Sequence, residues 1–138
     1  MRIGIIGNGF VGKATNLLKC KDIDIIIYDI QPELCNPKGT NINDINQCDL
    51  IFISVPTPMN QDGSCHLNIL KSVVKSLQND YIVIRSTVPP GTSDELNCYF
   101  MPEFLTEKNF VEDFKNNKNW IFGLKNKEID LEFKSRVT

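Results

Sequence analysis

Histidine occurs once in the 138-residue chain, as His66, and tryptophan once, as Trp120. The five cysteines, Cys20, Cys35, Cys48, Cys65 and Cys98, are odd in number and show neither CxxC nor zinc-like spacing, so no metal site is expected. They read as free thiols of a reducing compartment, mostly structural. Long hydrophobic runs are missing too. The apolar opening Ile3 to Ile6 is broken by Gly4 and Gly7 and is far shorter than a signal-peptide core. No membrane association is expected, and the cytoplasm is the expected location. Nor is there an excess of one charge: 15 Lys and Arg stand against 17 Asp and Glu, with the basic residues scattered. That balance excludes an electropositive surface for nucleic acid. No repeat or low-complexity linker divides the chain.

What is present is the composition of a globular domain, with 41% apolar and 23% charged residues. A chain of this length fits one domain and buries roughly two-thirds of its unfolded surface. Ile3 to Ile6 predicts a strand, and Val11, Ala14, Leu17 and Leu18 repeat at helical spacing after it. Asp22 to Asp29 predicts a second strand, apolar enough to be buried on both faces. The polar stretch from Gln31 to Cys48 predicts only a weak strand at Thr40 to Ile42 and a turn of helix near Ile45. Asp49 to Val55 is a further strand, and Leu70, Val73, Val74 and Leu77 form a helical stripe. Tyr81 to Ser86 follows as another strand, Thr92 and Glu95 match a capping box, and Asn97 to Met101 and Trp120 to Leu124 are candidate strands. The alternation predicts an α/β fold, a Rossmann-like three-layer sandwich with a mainly parallel sheet. Residues 1–124 would form this dinucleotide-binding domain, and 125–138 an extension whose apolar pattern assigns no element.

GNGFVG places Gly7, Gly9 and Gly12 in G-x-G-x-x-G register between the first strand and its helix. Gly7 suits the tight turn, Gly9 leaves room for a pyrophosphate beside the backbone, and Gly12 lets the helix lie close to the strand. Alone, the pattern would also fit a merely tight turn. Asp29, ending the second strand, stands where a carboxylate accepts the adenosine ribose hydroxyls and repels a 2′-phosphate, which favours NAD over NADP. A solvent-facing strand-end carboxylate is the plainer alternative. Two more strand ends carry proline-bearing loops, VPTPM at Val55 to Met59 and RSTVPPGT at Arg85 to Thr92. In a parallel sheet both lie on the edge that holds Gly9, where Thr57, Ser86 and Thr87 could touch ribose or nicotinamide. They could equally be rigid turns.

GNGFVG, Asp29, VPTP at 55 to 58, DG at 62 to 63, STVPPGT at 86 to 92 and PEFLTE at 102 to 107 follow one another in an order that resembles the UDP-glucose/GDP-mannose dehydrogenase family, specifically its N-terminal NAD-binding domain. The resemblance implies a nucleotide-sugar dehydrogenase that oxidises a sugar C6 alcohol to a carboxylate, reducing two NAD through a thioester on a catalytic cysteine. It assigns the cofactor phosphates to Gly7, Asn8, Gly9, Phe10, Val11 and Gly12, the ribose to Asp29, and the adjoining wall to Val55, Pro56, Thr57, Pro58 and Met59. Ser86 would contact the cofactor, Thr87 and Glu103 would position water and manage protons near the reacting carbon, and Glu107 would reach the nicotinamide side. Thr87 as a turn cap and the two glutamates as solvated carboxylates are the plainer alternatives.

The sequence departs from the family pattern at several places. The segment Ile30 to Leu50 is short, Leu34 stands where a basic residue is common, and Met101, His66 and Lys108 replace the usual Asn, Asp and Gly. The family's nucleophilic cysteine, substrate-binding Lys and Asn, dimerisation helix and nucleotide-sugar domain correspond to positions beyond residue 138. The chain is therefore expected to resemble a truncated UDP-glucose 6-dehydrogenase-like domain without autonomous dehydrogenase activity. A UDP-sugar would be bound only if another chain or segment completes the site, and a non-enzymatic interaction module is the remaining alternative. Self-association as a homodimer is expected from apolar faces left without helices. Cys65, beside His66 in sequence, is the one thiol weighed for chemistry, and the other four are taken as structural.

Overall fold

The computed structural model describes the whole chain, Met1–Thr138. Its framework is one five-stranded sheet of β1 (Arg2–Ile6), β2 (Asp24–Tyr28), β3 (Leu50–Ile53), β4 (Ile82–Ile84) and β5 (Tyr99–Phe100) in the order β2-β1-β3-β4-β5. Every pairing is parallel, as the near-continuous isoleucine runs require of strands covered on both faces. The register aligns Ile6 with Ile53, Ile53 with Ile84, and Ile84 with Phe100, so the carboxyl ends of four strands share one edge.

Alternation along the strands sends side chains into two cores. Ile6, Ile26, Ile51, Ile53, Ile82 and Ile84 meet Ile45 of α2 (Ile42–Asn46) and Leu70 of α3 (Asn68–Ser76). Ile3, Ile5, Ile25, Ile27, Phe52, Val83 and Tyr99 point the other way, toward Phe133. On that second face lie α1 (Phe10–Thr15), α5 (Phe110–Asn116) and α6 (Asp130–Val137), with Phe10 and Phe110 joining α1 to α5 at 6.4 Å between ring centroids. A short α4 (Thr92–Glu95) leads into β5. No helix is long and apolar enough to cross a membrane.

Three local expectations are corrected, and one stretch left without an element gains one. Thr40 to Ile42 is not a strand, because Asn41 caps α2 instead: its side chain accepts from the Asp44 amide at 3.0 Å, while Asp44 Oδ2 accepts from the Asn41 amide at 2.9 Å. No capping box forms at Thr92, which is the first helical residue of α4 after Gly91. Its hydroxyl turns back to the Pro89 carbonyl at 2.8 Å. Trp120 to Leu124 stays outside the sheet, since two-residue β5 offers it a single bridge from Phe100 to Gly123, although Trp120, Phe122 and Leu124 still pack on the core. The stretch 125–138, given no element from its pattern, contains α6, whose Phe133 is fully buried and stacks on Tyr99 with centroids 3.6 Å apart.

The short segment between β2 and β3 adds no strand beyond β2, which therefore stays at the edge. That edge is partly blunted by Asn36, which exchanges both backbone hydrogen bonds with Ile27, at 2.7 and 3.0 Å.

Candidate functional site

Because β1 has β2 on one side and β3 on the other, the chain reverses its direction of travel across the sheet at β1. In such sheets a crevice opens outside the carboxyl ends of the strands at the reversal. A crevice of about 320 Å³ lies there, walled by Gly9, Phe10 and Val11 after β1, Ser54 to Thr57 after β3, Arg85 to Thr87 at the end of β4, and Glu103 after β5. A second depression of about 330 Å³ near Gln78, Asp80 and Arg136 sits at the amino ends of β3 and β4, where loops do not converge in this way. The carboxyl-end crevice is the better candidate on topology.

The three glycines of the first turn differ in what the fold requires of them. Gly7 has φ +96°, and a Cβ there would lie 2.5 Å from the Ser54 carbonyl oxygen. A Cβ on Gly12 would overlap the Gly7 carbonyl oxygen, so α1 can approach β1 only with glycine at this point. Gly9 is under neither constraint: its φ of −73° is open to any residue, and no protein atom lies within 4 Å of where its Cβ would be. The backbone amides of Gly9, Phe10 and Val11 donate to no acceptor in the chain, and no side chain caps α1.

Asp29 lies beside the crevice rather than in its wall. Its Oδ2 accepts from the Asn8 amide at 2.8 Å and its Oδ1 from the Gln31 amide at 2.9 Å. A carboxylate offers about four lone-pair directions, so both oxygens keep acceptor capacity. The Asn8 amide is thereby committed to Asp29, and Asn8 Nδ2 donates to the Leu34 carbonyl at 2.8 Å, tying the turn after β2 to the glycine turn.

The two proline-bearing loops are joined by their own hydroxyls. Thr57 Oγ1 donates to the Thr87 carbonyl at 2.6 Å, and Ser86 Oγ to the Val55 carbonyl at 2.8 Å. Val55, Pro56, Thr57, Ser86 and Thr87 are thus brought together in the wall, whereas Pro58 and Met59 turn out of it, Met59 being 78% exposed. Glu103 reaches the crevice with Oε1 accepting from the Leu105 amide at 2.7 Å, while Glu107 is exposed and outside it. Cys65 Sγ lies 3.8 Å from both the Thr57 and Thr87 carbonyl oxygens, on the back of these loops. Burial pushes the Cys48 and Cys98 thiols up to about 11, which leaves both protonated and unreactive at neutral pH. No group of three His, Cys, Asp or Glu side chains converges as a metal site.

Arg85 is the wall residue that pattern reading passed over as the end of an apolar strand. It is 3% exposed, and its Nη1 donates to Thr15 Oγ1 in α1 at 2.9 Å. Burial pulls its ordinary value down to about 10, an effect that the Glu103 carboxylate partly offsets, and it remains a cation at neutral pH. A charged residue interrupting the YIVI run was the available signal.

A family model described as the UDP-glucose/GDP-mannose dehydrogenase family, NAD binding domain, matches residues 35–136. A UDP-glucose 6-dehydrogenase of Rickettsia prowazekii is 31% identical over 175 aligned residues, covering 94% of this chain and 40% of the relative. One of Bacillus subtilis is 28% identical, covering 89% and 39%. The chain therefore spans about 40% of the length of these relatives. Among solved structures, a GDP-mannose dehydrogenase ternary complex from Pseudomonas aeruginosa superimposes with a TM-score of 0.81 at 19% identity, covering 99% of this chain and 43% of that one. A UDP-glucose dehydrogenase from Pyrobaculum islandicum gives 0.78 at 22%, with the same coverages. At these identities the superpositions speak for the fold.

Proposed function

The chain belongs to the UDP-glucose/GDP-mannose dehydrogenase family, whose NAD-binding domain it resembles, and from that premise we propose that it binds NAD in the carboxyl-end crevice without dehydrogenating a sugar by itself. One observation carries the reading: Gly9 is glycine although the fold would accept a side chain there, and the space that a Cβ would take is empty and faces the crevice. A pyrophosphate needs that space and the free amides beside it. In this reading the amides of Gly9, Phe10 and Val11 hold phosphate oxygens, Asp29 accepts the ribose hydroxyls with its remaining lone pairs, and its charge disfavours NADP. Val55 to Thr57 and Ser86 form the wall beyond, and Thr87 and Glu103 stand nearest the reacting end. Bound NAD would supply the hydride acceptor. Titration calorimetry with NAD should give saturable heat and a raised melting temperature; neither effect at roughly millimolar NAD would overturn the proposal.

The 138 residues span about 40% of the length of these relatives, and the proposal is made of them alone. Incubation with NAD and UDP-glucose is expected to produce no NADH absorbance, and its appearance would remove this half of the proposal. A second reading, in which another chain or segment completes the site, is favoured by Glu103 in the wall and by the neighbouring Phe104, which is 65% exposed. Copurification of a partner that restores NADH formation would support it.

A further inference from the structure

The crevice contains a cation that no group of the chain pairs at salt-bridge distance, although the Glu103 carboxylate partly offsets its burial. Arg85 ends β4 on the α1 face of the sheet, almost wholly removed from solvent, and none of the chain's ion pairs includes it. A guanidinium carries five N–H donors. Only one hydrogen bond to it forms within the chain, from Nη1 to Thr15 Oγ1 at 2.9 Å, and Nε is sealed without any acceptor. A buried charge left unpaired in this way is costly, and holding a threonine hydroxyl does not require one. Any neutral donor of similar reach would tie α1 to β4.

We propose that Arg85 is a phosphate-binding residue of the crevice, its guanidinium taking oxygens of the dinucleotide pyrophosphate alongside the free amides of Gly9, Phe10 and Val11. This rests on the dinucleotide reading of the site. Three observations select that ligand chemistry. The planar guanidinium fork matches paired phosphate oxygens. The unpaired amides line the same crevice and favour an anion. Arg85 and the unpaired amides give the crevice donors for an anion, and Glu103, the one carboxylate in its wall, enters at the β5 end. An oxidised dinucleotide carries both signs, an anionic pyrophosphate joined to a cationic pyridinium ring. A dicarboxylate offers no positive charge to Glu103.

The test compares the unsubstituted chain with Arg85→Gln and Arg85→Lys, using NAD and inorganic pyrophosphate as probes and thermal unfolding as the control for folding. Pyrophosphate should displace NAD from the unsubstituted chain. Arg85→Gln should weaken NAD about tenfold or more, with Arg85→Lys intermediate because it keeps the charge but loses the fork. The ionic-strength dependence of NAD binding should be shallower in Arg85→Gln, a change that a merely structural role would not produce. A folded Arg85→Gln protein that binds NAD as the parent does, with the same salt dependence, would overturn the proposal. If Arg85→Gln does not unfold cooperatively, displacement on the unsubstituted chain decides, and failure of pyrophosphate to compete overturns it. Failure of the dinucleotide reading looks different: the unsubstituted chain then binds no NAD. Pyrophosphate binding that weakens in Arg85→Lys would in that case sustain the phosphate role alone, and no pyrophosphate binding would end both.

Discussion

At the residue scale, the three glycines of one turn separate what the fold needs from what a ligand needs. Replacing Gly12 by Ala drives a methyl group into the Gly7 carbonyl, and α1 must lift from β1 to relieve it. The expected loss is about 3 kcal/mol or more, measured by denaturant unfolding. Gly9→Ala meets no protein atom, and at the N-cap of α1 it should cost under about 1 kcal/mol. Its effect should appear in NAD titration as a substantial loss of affinity, because the methyl group occupies the space left for the phosphate. Equal NAD binding by Gly9→Ala and the parent would remove the observation on which the proposed function rests. The glycine register was legible in the sequence, since Gly-x-Gly-x-x-Gly between a strand and a helix has few physical uses. The division of labour among the glycines was not, because it depends on which atoms from β3 and the turn itself stand opposite each Cα.

At the scale of elements, buried strands were easy to read and packed tails were not. Runs such as IIIY and LIFI advertise burial on both faces through composition alone. The α6 sequence DLEFKSRV has one aromatic among charges, so periodicity gives little away. Its main apolar anchor is one side chain: Phe133 stacks on Tyr99 and meets Phe122 edge-on at 5.5 Å, while Arg136 adds a hydrogen bond to the Asp49 carbonyl at 2.8 Å. Phe133→Ala should therefore cost about 3–5 kcal/mol and loosen α6 on the sheet. Hydrogen exchange would report this as loss of protection in the α6 amides with β1 and β3 still protected. The α2 cap was missed for a related reason. Asn41 and Asp44 suit a capping box as well as the Thr92 and Glu95 pair does, but only the first forms, because Gly91 with its positive φ takes the N-cap of α4 in place of Thr92.

Across the whole molecule, the two cores flanking the sheet make unfolding sensitive to alkali. Cys48 and Cys98 sit in the core on the α2 and α3 side, where burial raises both thiols from 9.0 to about 11. Above pH 9 the unfolded chain releases these protons while the folded chain retains them, so stability is full below pH 9 and declines as the pH rises toward 11. Burial moves the Tyr99 hydroxyl in the same direction, ahead of the smaller effect of Asp130 beside it. Thermal melts across this range should show a falling midpoint, opposed above about pH 10 by Arg85, which the folded chain deprotonates first, and a Cys48→Ala, Cys98→Ala double variant should show a shallower fall. What the amino-acid order determined by itself was the alternation of buried strands and helices, the glycine turn and the acid ending the second strand, because each is a local matter of side-chain period and backbone freedom. Tertiary structure decided the rest: the sheet order that leaves a crevice beside β1, the pairing of Asn8 with Asp29, and the burial of Arg85 beneath α1. These depend on groups far apart in the chain meeting at one sheet edge, and no local pattern encodes which of them face each other.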